Sequence, residues 1–234
     1  VNRDALEKRI AEVRSRIATA AEQAGRDPGT VLVLPITKGH GPDAIRALVE
    51  AGFDRVGENR VGETERKRAE LDDLGVAWHM VGHIQRNKAS RAVAAFDVIE
   101  SVDSLRLARR LALEAQRADG PPLPVLVQVN ASGEESKGGF DVREAATAVA
   151  GMTDLGGLEV RGLMTMAPWT DDTTILRATF RATREALARC RDEVPGCRGT
   201  VLSMGMSNDF EIAVEEGSTE LRLGTVLVGE RPGR

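Results

Sequence analysis

The stretch Pro121-Pro-Leu-Pro-Val-Leu-Val-Gln-Val-Asn-Ala-Ser-Gly133 contains the clearest strand of this chain. Its apolar run over 124–129 is bounded by Pro121-Pro122 on one side and Asn130-Ala-Ser-Gly133 on the other, so turn chemistry marks both ends. Working outward, the same unit recurs: a short apolar stretch followed by a helical one. Toward the N-terminus, strands are expected at 31–37, 54–57, 77–81 and 97–100, each followed by a helix, at 42–51, 60–72, 87–95 and 104–118. Toward the C-terminus, strands at 158–163, 200–203 and 220–223 are preceded by helices at 142–151, 173–194 and 209–216. A leading helix comes before all of these. Leu6, Ile10, Val13, Ile17 and Ala21 recur at spacings of three and four, Asn2 is placed to cap it, Gly25 to end it, and Asp27-Pro28-Gly29 turns the chain.

Eight strands alternating with helices, with no long linker and no break in composition, predict an α/β protein built as one closed parallel (β/α)8 barrel. The whole of 1–234 then forms a single domain, with a helix over 1–26 packing on the barrel and covering the gap left by a missing or short final helix. An open doubly wound sheet is the competing architecture.

Composition narrows the function. Of 234 residues, 41% are hydrophobic but only 3% aromatic, with no tyrosine, so the core is aliphatic and no mechanism in this chain uses a phenol. A net charge of −4 argues against a basic face for nucleic acid. Cys190 and Cys197 have no CxxC spacing and indicate neither a disulfide framework nor a zinc site, and a reducing cytoplasm is the simplest setting. No apolar stretch approaches the ~20 residues of a membrane span. The Arg-rich leading helix carries Asp4, Glu7, Glu12 and Glu22, which argues against a transit peptide.

In such barrels the chemistry sits where strands end. The first strand ends on Val31-Leu-Val-Leu-Pro-Ile-Thr-Lys38, and Lys38 is one of only five lysines beside 27 arginines. Burial of a lysine lowers its pKa and exposes the nucleophilic lone pair that an aldehyde needs. From this segment alone the plainer account is a lysine snorkelling from a strand end. After strands seven and eight come Ser203-Met-Gly-Met-Ser207 and Arg222-Leu-Gly-Thr225, at the usual phosphate corner of this architecture. Taken singly, each reads as a turn, and Arg222 reads equally as a rim ion pair. Together, an amine, a phosphate cradle and an arginine between them outline a pyridoxal phosphate site.

Seven segments make the sequence resemble the pyridoxal phosphate homeostasis proteins (the YggS/PROSC-like family) over nearly its whole length. They are Thr37-Lys38, Val56-Gly-Glu-Asn59, Trp78-His-Met-Val-Gly-His-Ile-Gln-Arg-Asn-Lys88, Glu135-Ser-Lys-Gly138, Arg161-Gly-Leu-Met-Thr-Met166, Ser203-Met-Gly-Met-Ser-Asn-Asp209 and Gly217-Ser-Thr-Glu-Leu-Arg-Leu-Gly-Thr225. The resemblance implies a TIM-type barrel like the N-terminal domain of alanine racemase, with Lys38 carrying the cofactor as an internal aldimine. It implies phosphate contacts from Ser203, Met206, Ser207, Gly224 and Thr225, contact of Arg222 with the pyridine nitrogen, and pocket positions for Asn59 and His79. Thr37, Gly39-His40 and Phe210 depart from the family's common pattern. Lys88 and Lys137 are read as exposed.

The activity expected from the resemblance is that of a cytoplasmic, monomeric carrier that holds pyridoxal phosphate, limits the free aldehyde and supplies apo-enzymes, without robust catalysis. The alternative is a pyridoxal phosphate-dependent amino-acid racemase or related amino-acid enzyme. Two-base racemisation of the alanine racemase kind needs a tyrosine from a second domain, and this chain has no tyrosine. A third class, a metal hydrolase on His79 and His83, is disfavoured because Gly82 and the strand context spoil helical ligand spacing.

Overall fold

The computed structural model describes residues 2–134 and 138–231. The leading helix α1 (Arg3–Gln23) is capped by Asn2, whose Oδ1 accepts from Ala5 N at 3.2 Å, and buries Leu6, Ile10, Val13, Ile17, Ala20 and Ala21. Gly25 follows with φ +65. Strands β1 (Leu32–Pro35), β2 (Arg55–Glu58), β3 (Ala77–Met80), β4 (Val98–Val102) and β5 (Leu123–Asn130) come next. They alternate with helices α2 (Pro42–Glu50), α3 (Val61–Glu70), α4 (Ala89–Ala95) and α5 (Leu105–Arg117). A two-residue strand, β6 (Phe140–Asp141), precedes α6 (Ala145–Thr153) and β7 (Leu158–Met164). The chain then continues through α7 (Thr173–Glu193), β8 (Val201–Ser203), α8 (Phe210–Glu215), β9 (Glu220–Leu223) and a four-residue helix α9 (Thr225–Val228).

The sheet runs β1-β9-β8-β7-β5-β4-β3-β2, every described pairing is parallel, and β6 stands off this path against β5. A bridge between Ile36 and Gly57, with Thr37 N donating to Gly57 O at 3.0 Å, joins β1 to β2 and closes the barrel. The eight expected strands are therefore the barrel strands, and the open sheet is ruled out by that bridge. Strand four runs two residues past its expected end. Glu100-Ser101-Val102 continues the ladder because Glu100 finds His79 and Ser203 inside the barrel and Ser101 Oγ donates to Gly82 O at 2.6 Å, which an apolar-run reading does not register.

Helix α1 packs on α8 and α9, where a full eighth barrel helix would lie. Arg9 Nε donates to Leu227 O at 2.8 Å, Arg26 donates to Ser218 O at 2.8 Å, and the Arg16 guanidinium lies 4.4 Å from the centre of the Phe210 ring. Phe210, a departure in the sequence, is thus a fully buried side chain at the start of α8, roofed by α1. The aliphatic core expected from the lack of aromatics lies between strands and helices, where Ile45, Leu48, Ile99, Leu107 and Leu111 are fully buried in one cluster with Trp78 and Phe180.

Close approach of β7 and the segment entering β8 depends on Gly162 and on Gly199, whose Cβ would lie 2.8 Å from Arg161 C. A Cβ on Gly162 (φ +155) would sit 1.9 Å from Val201 O, whereas one on Gly120 would meet nothing within 4 Å. Gly162→Ala is expected to lower stability by about 1–3 kcal/mol or more, and Gly120→Ala to leave it within about 0.5 kcal/mol, as read by urea unfolding.

Candidate functional site

Lys38 follows the β1–β2 bridge, in the turn before α2. Thr37 is fully buried, Lys38 is half-buried, and Gly39 takes φ +77, which lets the turn close with His40 N donating to Thr37 O at 3.0 Å. A side chain at Gly39 would strike Arg231, since a Cβ there comes within 2.9 Å of Arg231 Cδ. The C-terminal segment therefore lies against the lysine turn, and the glycine that departs from the family pattern makes room for it. Burial pushes the Lys38 amine below its ordinary pKa, the charges of Arg231 and Arg222 push it further, and only Glu58 opposes them. His40 is buried and likewise lowered, first by burial and then by Lys67, Arg231 and Arg9, against Glu63.

A compact set of bonds holds this turn. Lys67 of α3 donates to Glu58 Oε1 (2.6 Å), to Glu63 Oε1 (2.7 Å) and to the Thr37 carbonyl (3.0 Å). Thr37 Oγ1 donates to Glu58 Oε1 at 2.7 Å, and Gly39 N donates to Glu63 Oε1 at 2.8 Å. Glu58 is wholly buried, its Oε2 has no hydrogen-bond partner, and burial raises its pKa despite the bonds from Lys67 and Thr37. Burial alone would raise Glu63 too, but Lys67 and the Gly39 amide bring it below its ordinary value.

A second network crosses the barrel. Arg222 Nη1 donates to Ser203 Oγ (2.8 Å) and Nη2 to the Thr165 carbonyl (2.6 Å). Ser203 Oγ donates to Glu100 Oε2 (2.6 Å), and Glu100 Oε1 lies 2.7 Å from His79 Nδ1. β8 and β4 are not neighbours in the sheet, so the Ser203–Glu100 bond spans the interior. Arg222 is thus a buried guanidinium bound to a hydroxyl and a carbonyl rather than a member of a rim ion pair. Burial lowers its pKa, against Glu100, Glu220 and Asp209. Burial would raise Glu100, but His79, Arg222 and Ser203 carry it below its ordinary value. Burial would lower His79, but Glu100 and Glu220 hold it above.

The other expected site residues gather at the same strand ends. Asn59 is half-buried just beyond β2 and packs so closely on Gly82 that a Cβ there would lie 2.5 Å from Asn59 O. Met206 and Ser207 are half-buried in the loop after β8, and Gly224 and Thr225 open α9. Two donors of the expected phosphate cradle are engaged within the protein: Met206 N with Asp209 Oδ1 at 2.5 Å, and the Ser203 hydroxyl with Glu100. Ser207 Oγ accepts from Val226 N at 3.4 Å, which ties the cradle's two halves together and leaves the hydroxyl hydrogen to donate. His83 pairs through Nδ1 with Asp103 Oδ2 (2.9 Å), away from His79. The histidine that gathers with carboxylates is His79, beside buried Glu100 and Glu220. Lys88 is half-buried rather than exposed, and Lys137 lies outside the described residues.

Sequence reasoning gave no role to Glu58, Glu63, Lys67, Glu100, Thr165, Glu220 or Arg231. Glu100 in Val98-Ile-Glu-Ser-Val102 and Glu220 in Glu220-Leu-Arg-Leu223 did carry a signal, a carboxylate within an apolar strand. Lys67 carried none, because Glu63-Thr-Glu-Arg-Lys-Arg68 reads as a solvated helix face. A cavity of about 360 Å³ lies elsewhere, between α1 and the beginnings of β1 and β2, and no comparable network lines it.

The alanine racemase N-terminal domain family matches residues 1–232. The pyridoxal phosphate homeostasis protein of Pseudomonas aeruginosa is 40% identical over 226 residues, spanning 97% of this chain and 96% of that protein. The Aquifex aeolicus protein of the same name is 37% identical over 96% of this chain and 97% of its own length. The chain belongs to this family. PipY of Synechococcus elongatus, solved with pyridoxal phosphate bound, superposes with a TM-score of 0.84 at 36% identity, covering 96% of this chain and all of PipY. Alanine racemase of Clostridium difficile shares the fold alone, with a TM-score of 0.75 at 16% identity, and this chain spans 57% of it.

Glu220 gives a signed test of the barrel network. Burial, then the charge of Glu100, pushes its carboxyl up to about 7 from an ordinary 4.5, against His79, Ser203 and Arg222. A raised carboxyl stabilises the fold fully below its unfolded pKa and loses that contribution as pH climbs through the folded value. Glu220→Gln, which does not ionise, is therefore expected to gain stability over the wild type between pH about 5 and about 8. Urea unfolding at the two pH values measures the difference, and a constant offset would show that Glu220 does not titrate there.

Proposed function

We propose that this chain holds pyridoxal phosphate at the C-terminal mouth of the barrel, with Lys38 capturing the cofactor, and that it serves homeostasis and supply of the cofactor to apo-enzymes rather than catalysis of its own. The observation that carries the reading is Lys38 itself. It is a half-buried amine with a lowered pKa, close to the buried Arg222, in a chain whose full-length relatives bear the homeostasis name. Bound there, pyridoxal phosphate supplies an aldehyde carbon that a neutral amine captures reversibly and yields to another amine or to water.

The donor set suits that ligand. Desolvation keeps part of the Lys38 population neutral, which is the nucleophilic form. Arg222 is held by Ser203 and Thr165, and a fixed guanidinium donates to an aromatic ring nitrogen without giving up its proton. The hydroxyl of Ser207, with the first amides of α9 at Gly224 and Thr225, offers donors to a phosphate dianion. Asn59 and His79 complete the wall, with His79 acting through Glu100 on the Ser203–Arg222 pair. The absence of tyrosine in this sequence supports a carrier over a two-base racemase. Among the described residues, no helix is long and apolar enough to cross a membrane.

The first test is the absorption spectrum after incubation with pyridoxal phosphate and gel filtration. A retained visible band is expected in the wild type and not in Lys38→Ala; no band in either protein overturns the reading. Arg222→Leu removes charged hydrogen bonds worth about 1.5–3 kcal/mol and is expected to weaken retention ten- to a hundredfold. For the supply role, loaded protein mixed with an apo-enzyme acceptor is expected to deliver cofactor faster than it dissociates spontaneously. Equal rates would leave a binding protein without a delivery function.

A further inference from the structure

We infer that Lys67, together with Glu58 and Glu63, is the positioning device of Lys38: a buried ionic clamp that grips the backbone on both sides of the lysine and holds its amine half out of water. This rests on the reading of Lys38 as the cofactor lysine. Lys67 sits in a helix whose neighbouring charges face solvent, yet it is only 6% exposed. Burying an ammonium costs several kcal/mol unless it is paired and hydrogen-bonded. Its three bonds spend all three ammonium hydrogens, two on carboxylates and one on the Thr37 carbonyl.

The placement of those partners is what assigns the role. The peptide group preceding Lys38 is gripped at the Thr37 carbonyl by Lys67, and the peptide group following it is gripped at the Gly39 amide by Glu63. Glu58 holds the Thr37 hydroxyl and receives the Lys67 ammonium through the same oxygen. Lys38 is thereby suspended between two anchors that meet at one nitrogen atom, and neither anchor uses the Lys38 side chain. Without these anchors the turn, with Gly39 at φ +77, keeps the bonds of Thr37 N to Gly57 O and His40 N to Thr37 O but loses the grip on the peptide groups flanking Lys38, and a shift toward solvent would hydrate the amine and move it from its partner. A displacement on the order of 1 Å costs a well-oriented reaction about a hundredfold. The clamp also sets charge. The groups that bear on the Lys38 amine are Arg231 of the C-terminal segment and Arg222 of β9, which favour the neutral form, and Glu58 of β2, which favours the ammonium.

Two classes of variant move Lys38 in opposite directions. Glu63→Ala and Lys67→Met release the turn, so the amine gains water and the pH at which it becomes reactive rises. Glu58→Gln removes the one carboxylate that favours the ammonium, so that pH falls. The readout is acetylation of the cofactor-free protein by acetic anhydride across a pH series, mapped by mass spectrometry, with solvent-exposed Lys8 as the internal reference. Uptake of pyridoxal phosphate is followed separately by stopped-flow absorbance. Release of the turn is expected to slow uptake about tenfold or more. Lys67→Arg, which retains the charge and the donors, is expected to recover most of the rate.

Folded variants whose Lys38 titrates and takes up cofactor as the wild type does would overturn the clamp. So would shifts of one sign in all three. If Lys67→Met fails to fold, Glu63→Ala carries the test, because Glu63 is partly exposed and leaves the Lys67–Glu58 pair intact. A wild type that takes up no pyridoxal phosphate, beside Lys38 acetylation shifts of the expected signs, would defeat the proposed function while the positioning role stands.

Discussion

The bond from Ser203 to Glu100 spans the inside of the barrel, and the order of the surrounding polar groups depends on it. Glu100 has no exposed surface, and a buried carboxylate persists only where hydrogen bonds and opposite charge replace water. Those partners come from three different strands: Ser203 on β8, His79 on β3 and, through Ser203, Arg222 on β9. Satisfying one carboxylate therefore fixes where a guanidinium stands on the far side of the barrel. The aliphatic packing of the outer layer supplies the fold's bulk, while the inner chain of hydrogen bonds supplies its register.

The turn that carries Lys38 lies at the ends of the same strands and uses a similar device. Glu58, like Glu100, is a wholly buried carboxylate whose partners come from elsewhere, here Lys67 of α3 and Thr37 beyond β1. The barrel thus holds two basic groups in fixed places, a buried guanidinium and a half-desolvated amine, each seated by a carboxylate that touches no solvent. An aldehyde bearing a phosphate and a ring nitrogen is the kind of ligand that uses both. Small residues complete the arrangement where backbones must come close: Gly82 admits Asn59, and Gly39 admits Arg231.

Most of the fold was legible because apolar runs and turn residues punctuate it clearly. β5, with prolines before it and Asn130-Ala-Ser-Gly133 after it, matches its expected bounds within a residue at either end. Gaps in that reading have physical causes. β4 looked shorter than it is because Glu100 and Ser101 interrupt its apolar run, and their partners, His79, Ser203 and the Gly82 carbonyl, come from elsewhere in the chain. The two-residue β6 has too little sequence to show a pattern. Lys38, Arg222 and the serines of the strand ends stood out because their residue types were unusual for their surroundings, whereas Lys67 looked like every other charged helix residue.

The sequence by itself determined the alternation of strand and helix, the aliphatic core, the lack of any phenol, and a lysine at the end of the first strand, because these follow from local order and composition. Only the tertiary structure decided that β1 meets β2 through Ile36 and Gly57, that Glu100 reaches Ser203 from 103 residues away, and that Lys67 grips the backbone beside Lys38. Those outcomes depend on which buried charges become neighbours when the barrel closes. A carboxylate does not choose its partner along the chain; it takes the one that closure leaves within about 3 Å once water is gone.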